Sequence, residues 1–92
     1  MGCLKFIVKG KVQGVWYRKY TSINFNKHHI IGYVKNLPNG DVEVVVKKDD
    51  KTDIQTILNI LHEGSPNSKV EEIIMSECDG DIEFGNRFEV RY

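Results

Sequence analysis

Arg18 and Asn36 are the two side chains whose surroundings suggest chemistry. Arg18 closes the stretch Gly10-Lys11-Val12-Gln13-Gly14-Val15-Trp16-Tyr17-Arg18, which lies between an alternating apolar run (Leu4, Phe6, Val8) and a run with helical spacing. A strand should therefore feed a glycine-containing loop that opens a helix with an arginine in its first turn. Backbone N–H groups at a helix start have no partner within the helix, and the helix dipole favours negative charge at that end. One guanidinium added to such a nest makes a place for a phosphate. Each part alone has a plainer reading: Gly10-x-x-x-Gly14 as a bulge or turn, Arg18 as a solvated helix residue, Asn36 as a turn residue. The two side chains are neither ordinary acids, bases nor nucleophiles. Together with a nest of N–H groups, they suit holding a phosphoryl group and aiming a water at it.

The elements that must position them can be read in order. Leu4–Val12 alternates as a strand, and Trp16–Lys27 has a helical stripe of Trp16, Tyr20 and Ile23 with Phe25 off it. Ile30–Leu37 and Val42–Lys48 are strands joined by the turn Leu37-Pro38-Asn39-Gly40-Asp41, so they form a hairpin. Asp49–Asp53 is a polar turn whose acids can cap a helix from Ile54 to about Glu63, which Gly64-Ser65-Pro66 stops. Val70–Cys78 is a fourth strand, Asp79-Gly80-Asp81 breaks it, and Phe84–Tyr92 is a short terminal strand. The order β-α-β-β-α-β plus one strand predicts an α+β, ferredoxin-like split βαβ sandwich: an antiparallel sheet of four core strands plus a short C-terminal strand, with two helices on one face. In that topology the loop after the first strand and the end of the second lie at one end of the sheet. Arg18 and Asn36 then approach a common point from two elements.

Composition narrows the partners. The chain of 92 residues suits one domain spanning 1–92. Its 13 basic and 13 acidic side chains cancel, which argues against a long polyanion as main partner but not against a single small anion. There is no apolar h-region at the start and no run long enough to span a bilayer, so residence in the cytoplasm is the expectation. His28, His29 and His62 lack metal-ligand spacing, and no metal or other cofactor is expected. The acids of Asp49–Asp53 read as a solvated turn, weak cation binding being the alternative. Cys3 and Cys78 read as free buried thiols in a reducing compartment; they also start and end neighbouring antiparallel strands, which leaves a disulfide open.

The stretch Gly10–Arg18 resembles the signature of the acylphosphatase family, Gly-Arg-Val-Gln-Gly-Val-x-Phe/Tyr-Arg, with Lys11 in its second place. A second family signature is echoed by Gly32-Tyr33-Val34-Lys35-Asn36-Leu37-Pro38-Asn39-Gly40-Asp41-Val42-Glu43, at the matching distance from Arg18. The likeness runs over the whole length. It implies a metal-independent hydrolase of the carboxyl–phosphate bond of acyl phosphates. Arg18 would bind the phosphate, Asn36 would orient the water, and the amides of Gln13, Gly14, Val15, Trp16, Tyr17 and Arg18 would form the phosphate cradle. Departures stand at Phe25, where the family has a small residue, and at His28 and His29, where it has an apolar residue and then the C-cap glycine. These bear on packing, and His29 must then turn left-handed or the helix end differently. Leu37 lacks the hydroxyl that some members place after the asparagine. The sequence assigns no residue to the acyl portion. The expected protein is a free-standing monomer acting on a small molecule, without nucleic acid or membrane, rather than a fragment of a larger carbamoyl-phosphate-using enzyme. Two rivals share the fold: a non-catalytic module that binds a small anion, and an RNA-binding module, which would need aromatics on the open sheet face that the third strand does not offer.

Overall fold

A computed structural model describes residues 2–78 and 82–92 of the chain. The elements are β1 (Cys3–Lys11), α1 (Tyr17–Lys27), β2 (Gly32–Asn36), β3 (Val42–Lys47), α2 (Ile54–Glu63), β4 (Lys69–Cys78) and β5 (Phe88–Arg91). The sheet order is β4-β1-β3-β2-β5. The four core strands pair antiparallel, as the ferredoxin-like reading requires. β5 pairs parallel to β2, so the whole sheet is mixed. The break expected at Asp79-Gly80-Asp81 lies outside the described residues.

Alternation along the strands builds the core. Leu4, Phe6 and Val8 of β1 point to the same layer as Val42, Val44 and Val46 of β3, Val34 of β2 and Phe88 of β5. Tyr17 and Phe25 of α1 and Ile57, Ile60 and Leu61 of α2 close that layer, so both helices cover one face. A smaller cluster of Cys3, Tyr33 and Val45 occupies the other face, with Ile82 and Phe84 packed on it.

Three expectations need correction. α1 buries Tyr17, Thr21 and Phe25, not the stripe of Trp16, Tyr20 and Ile23, which is exposed; of the core and pocket-wall places open to Trp16 and Tyr20, Trp16 takes a pocket wall. The buried set has strict i, i+4 spacing, and its members have partners. Phe25 stacks on Phe88 at 4.4 Å, Tyr17 Oη donates to Leu61 O at 2.7 Å, and the Thr21 hydroxyl donates to Tyr17 O at 2.8 Å. A buried hydroxyl with a backbone acceptor is tolerated, so a helix face containing threonine outcompeted a face of larger apolar residues. Second, Cys3 and Cys78 form a disulfide: they are direct partners in the β1–β4 register, with Cα atoms 5.0 Å apart. Direct cross-strand pairing brings the two sulfurs within bonding reach, so the geometric alternative prevails over the compartment expectation of free thiols. Third, the terminal strand is Phe88–Arg91 rather than Phe84–Tyr92, because Ile82 and Phe84 pack on the open face instead of joining the ladder.

His29 takes the left-handed conformation, with φ of 57°, at the end of α1 where the family's glycine is missing. Gly10 marks a bulge: the β1–β4 register shifts between Lys9 and Gly10, and a Cβ there would collide with Lys69 O. That glycine shapes the strand end from which the loop departs.

Candidate active site

The segment between β1 and α1 is bolted down on the sides that face the protein. Val12 and Val15 are buried. Ser65 Oγ, itself buried, donates to Val15 O at 2.6 Å. Gln13 Nε2 donates to Leu37 O at 2.8 Å and to Asp41 O at 2.7 Å, clasping the β2–β3 turn from both ends. Lys9 adds an ion pair to Asp41 at 2.7 Å, and that hydrogen bond raises its pKa above the ordinary lysine value. The turn is itself closed by Leu37 N donating to Asp41 O at 2.9 Å. The residue just before it is Asn36, the last of β2. The loop before Arg18 and the strand end bearing Asn36 are therefore held as one piece.

The start of α1 is unusual. Its N-cap residue, Trp16, is left-handed (φ 65°, ψ 21°) and makes no side-chain capping bond. For a bulky L-residue this costs roughly 1 kcal/mol or more, and such strain gathers at functional sites. No acidic side chain stands in the first turn, so the first amides of α1 receive no side-chain cap from its own N-terminus. Gly14, at φ 74°, has nothing within 4 Å of where a Cβ would be. A side chain there would be strained rather than crowded.

A cavity of about 510 Å³ opens at this place. Gly14, Trp16, Tyr17, Arg18 and Asn36 all line it, together with Val12, Lys19, Ser22, Val90 and Tyr92. The structure thus brings the two expected chemical residues to one cavity. Gln13 and Val15, expected in the cradle, do not line its wall; their observed bonds are the structural ones above. Tyr17 contributes to the wall while its hydroxyl points away to α2, and burial holds that phenol well above the ordinary tyrosine range.

Arg18 is held from below. One guanidinium nitrogen donates to Arg91 O at 3.2 Å, and the group lies 4.7 Å from the centroid of the Tyr92 ring. Both anchors sit on or just past β5, a strand 73 residues away in sequence from the arginine. The closing Phe88-Glu89-Val90-Arg91-Tyr92 fits the usual end of the family's chain but assigns Arg91 and Tyr92 no role; the parallel pairing of β5 with β2 brings them here. The remaining guanidinium N–H donors are available for an anion. Asn36 lines the same cavity, and its Oδ1 is buried with no hydrogen-bond partner among the described residues. A buried acceptor left unpaired costs about 1–3 kcal/mol.

The family model for acylphosphatase matches residues 4–90. An acylphosphatase of Dehalococcoides mccartyi is 38% identical over all of both chains. One of Geobacter metallireducens is 40% identical over 92% of this chain and 89% of its own. Among solved structures, the crystal structure of an acylphosphatase from Bacillus subtilis superimposes with a TM-score of 0.84 at 33% identity, covering the whole of both chains. No helix among the described residues is long and apolar enough to cross a membrane.

Proposed function

The chain belongs to the acylphosphatase family and is an enzyme of acyl phosphate hydrolysis, and from that premise we propose how its own residues perform the reaction. The phosphoryl group sits in the loop Gln13–Arg18, against backbone amides and the Arg18 guanidinium. Asn36 positions the attacking water through its side-chain oxygen. The observation that supports this reading is that Arg18 and Asn36 line one cavity, and that Asn36 Oδ1 has no hydrogen-bond partner among the described residues.

The chemistry needs little more. Water oxygen bonds to phosphorus while the bond from phosphorus to the acyl oxygen breaks, and the carboxylate leaves with that electron pair. A carboxylate departs without a proton, so no general acid is required. A carboxamide is too weak a base to take the water's proton; the proton goes to a phosphate oxygen. Catalysis then rests on positioning and on charge stabilisation of a loose transition state. The planar, permanently charged fork of Arg18 can bridge two phosphate oxygens. The Tyr92 ring and Arg91 carbonyl beneath it fix the direction of that fork before substrate arrives.

The same reading makes the enzyme a metal-independent monomer of the cytoplasm that uses no nucleic acid. The even charge balance supports the last point. The Cys3–Cys78 bond pulls against a reducing compartment, and alkylation of thiols in freshly lysed cells decides between the two. The reading as a whole is tested by following benzoyl phosphate hydrolysis directly, with and without a chelator. Turnover should be fast and indifferent to chelation. Binding of inorganic phosphate without turnover would instead make the protein an anion sensor.

A further inference from the structure

A phosphate fills only the inner part of the cavity. Whatever is joined to it must leave the cradle toward solvent, and the exposed side chains that line the cavity are Trp16, Lys19 and Tyr92. Trp16 is the chain's one tryptophan, and 71% of its surface is exposed. The other exposed large apolar residues outside this cavity, Tyr20, Ile23, Ile54, Ile74 and Met75, are ordinary surface residues. Trp16 differs from them in two ways. Its backbone is held in a left-handed conformation that an aromatic residue does not favour. Its indole also stands at the rim of a site, ordered by Lys19, whose Nζ lies 5.5 Å from the ring centroid. The Tyr92 ring, 93% exposed, lines the same cavity. An exposed, amphipathic aromatic surface of this kind gains most by covering a flat apolar partner.

We propose that Trp16 is a specificity-determining residue for the acyl group, and that it favours acyl phosphates carrying an aryl or similarly broad apolar body over those with a small acyl group. The inference rests on the acyl phosphate reading above and deepens it. The cradle amides and Arg18 treat all acyl phosphates alike. Trp16 distinguishes them, because a benzoyl ring reaches the indole and an acetyl methyl does not. The expected gain is in binding, so it appears in KM more than in kcat.

The test is the ratio of kcat/KM for benzoyl phosphate to that for acetyl phosphate, which cancels any loss common to both. Trp16→Gly keeps the left-handed backbone without strain and removes the indole. It should lower the ratio about tenfold, through the KM of benzoyl phosphate. Trp16→Phe should keep the ratio within about threefold of the parent. An unchanged ratio in Trp16→Gly overturns the role of Trp16 while leaving acyl phosphate hydrolysis standing; failure of the parent enzyme to turn over either substrate overturns both. A second measurement needs no variant. Phenylphosphonate should shift the emission of the single tryptophan saturably, and methylphosphonate, bound through the same phosphorus group, should not. Equal shifts with the two ligands would show that the indole senses only the anion, and would equally overturn the proposal.

Discussion

The two helices begin in opposite ways. At α2, Asp53 has extended backbone, and its carboxylate accepts from Gln55 N at 3.1 Å and from the Thr56 hydroxyl at 2.8 Å. That helix satisfies its own first donors and complements its own dipole. At α1, the equivalent place is taken by Trp16, left-handed and without a capping bond, and the first charged side chain is the cation Arg18. A carboxylate at α1 would stabilise the helix and fill the place of a substrate anion. On the proposed reading, a phosphate site at a helix start asks that the stabilising cap be left off and the helix be held by other means. Here those means are the Tyr17 bond to Leu61, the Ser65 bond to Val15 and the double clasp of Gln13 on the β2–β3 turn.

The largest effect should come from the cation at the uncapped end. Arg18→Lys should reduce turnover on the order of a thousandfold and weaken inhibition by inorganic phosphate, because an ammonium cannot bridge two oxygens from the Arg91–Tyr92 seat. Near-normal turnover would mean that the open amides alone suffice. Next, Asn36→Ala should lower kcat by roughly two orders of magnitude while phosphate inhibition stays close to the parent's, as for a group that acts on water in the transition state. If phosphate inhibition weakens in step with kcat, Asn36 belongs to the anion cradle instead.

These two residues also mark how much could be read from the chain alone. The hairpin, the four-strand core and the pairing of Arg18 with Asn36 follow from alternation, the Pro38-Asn39-Gly40 turn and topology, because those signals are local or repeat along an element. The buried face of α1 did not follow. Tyr17, Thr21 and Phe25 win through Phe88 and Leu61, residues of β5 and α2 that no helical pattern contains. The seat of Arg18 was hidden for the same reason, since it is assembled from the last residues of the chain. The disulfide is legible as geometry, in that Cys3 and Cys78 begin and end neighbouring strands; only an expected reducing compartment speaks against it.

A smaller change would turn one helix start into the other. Trp16→Asp places a capping carboxylate at α1, draws position 16 toward extended backbone and relieves the left-handed strain. Thermal stability should hold or rise. Turnover of acetyl phosphate should fall about tenfold, since the carboxylate competes with the substrate for the amides and repels it, an effect equivalent to ~1.4 kcal/mol. Measuring both on one variant is what makes it informative. A loss of stability together with activity would show only damage, and full activity would show that the amides at the start of α1 do not meet the phosphate.

The reverse substitution concerns stability alone. Asp53→Ala removes the cap of α2 and should cost about 1 kcal/mol, which for a domain of this size lowers the melting temperature by ~4–8 °C. Turnover at a temperature well below the transition should not change, because Asp53 lines a separate cavity with His28 and His29, formed by the C-terminal end of α1 and the far end of β3. Thermal denaturation and benzoyl phosphate kinetics on the same preparation check both halves. If Asp53→Ala proved as stable as the parent, a helix in this fold would not need its cap. The absence of one at α1 would then lose its meaning as a sign of function, and the argument for the cradle would rest on Arg18 and the unpaired Asn36 oxygen alone.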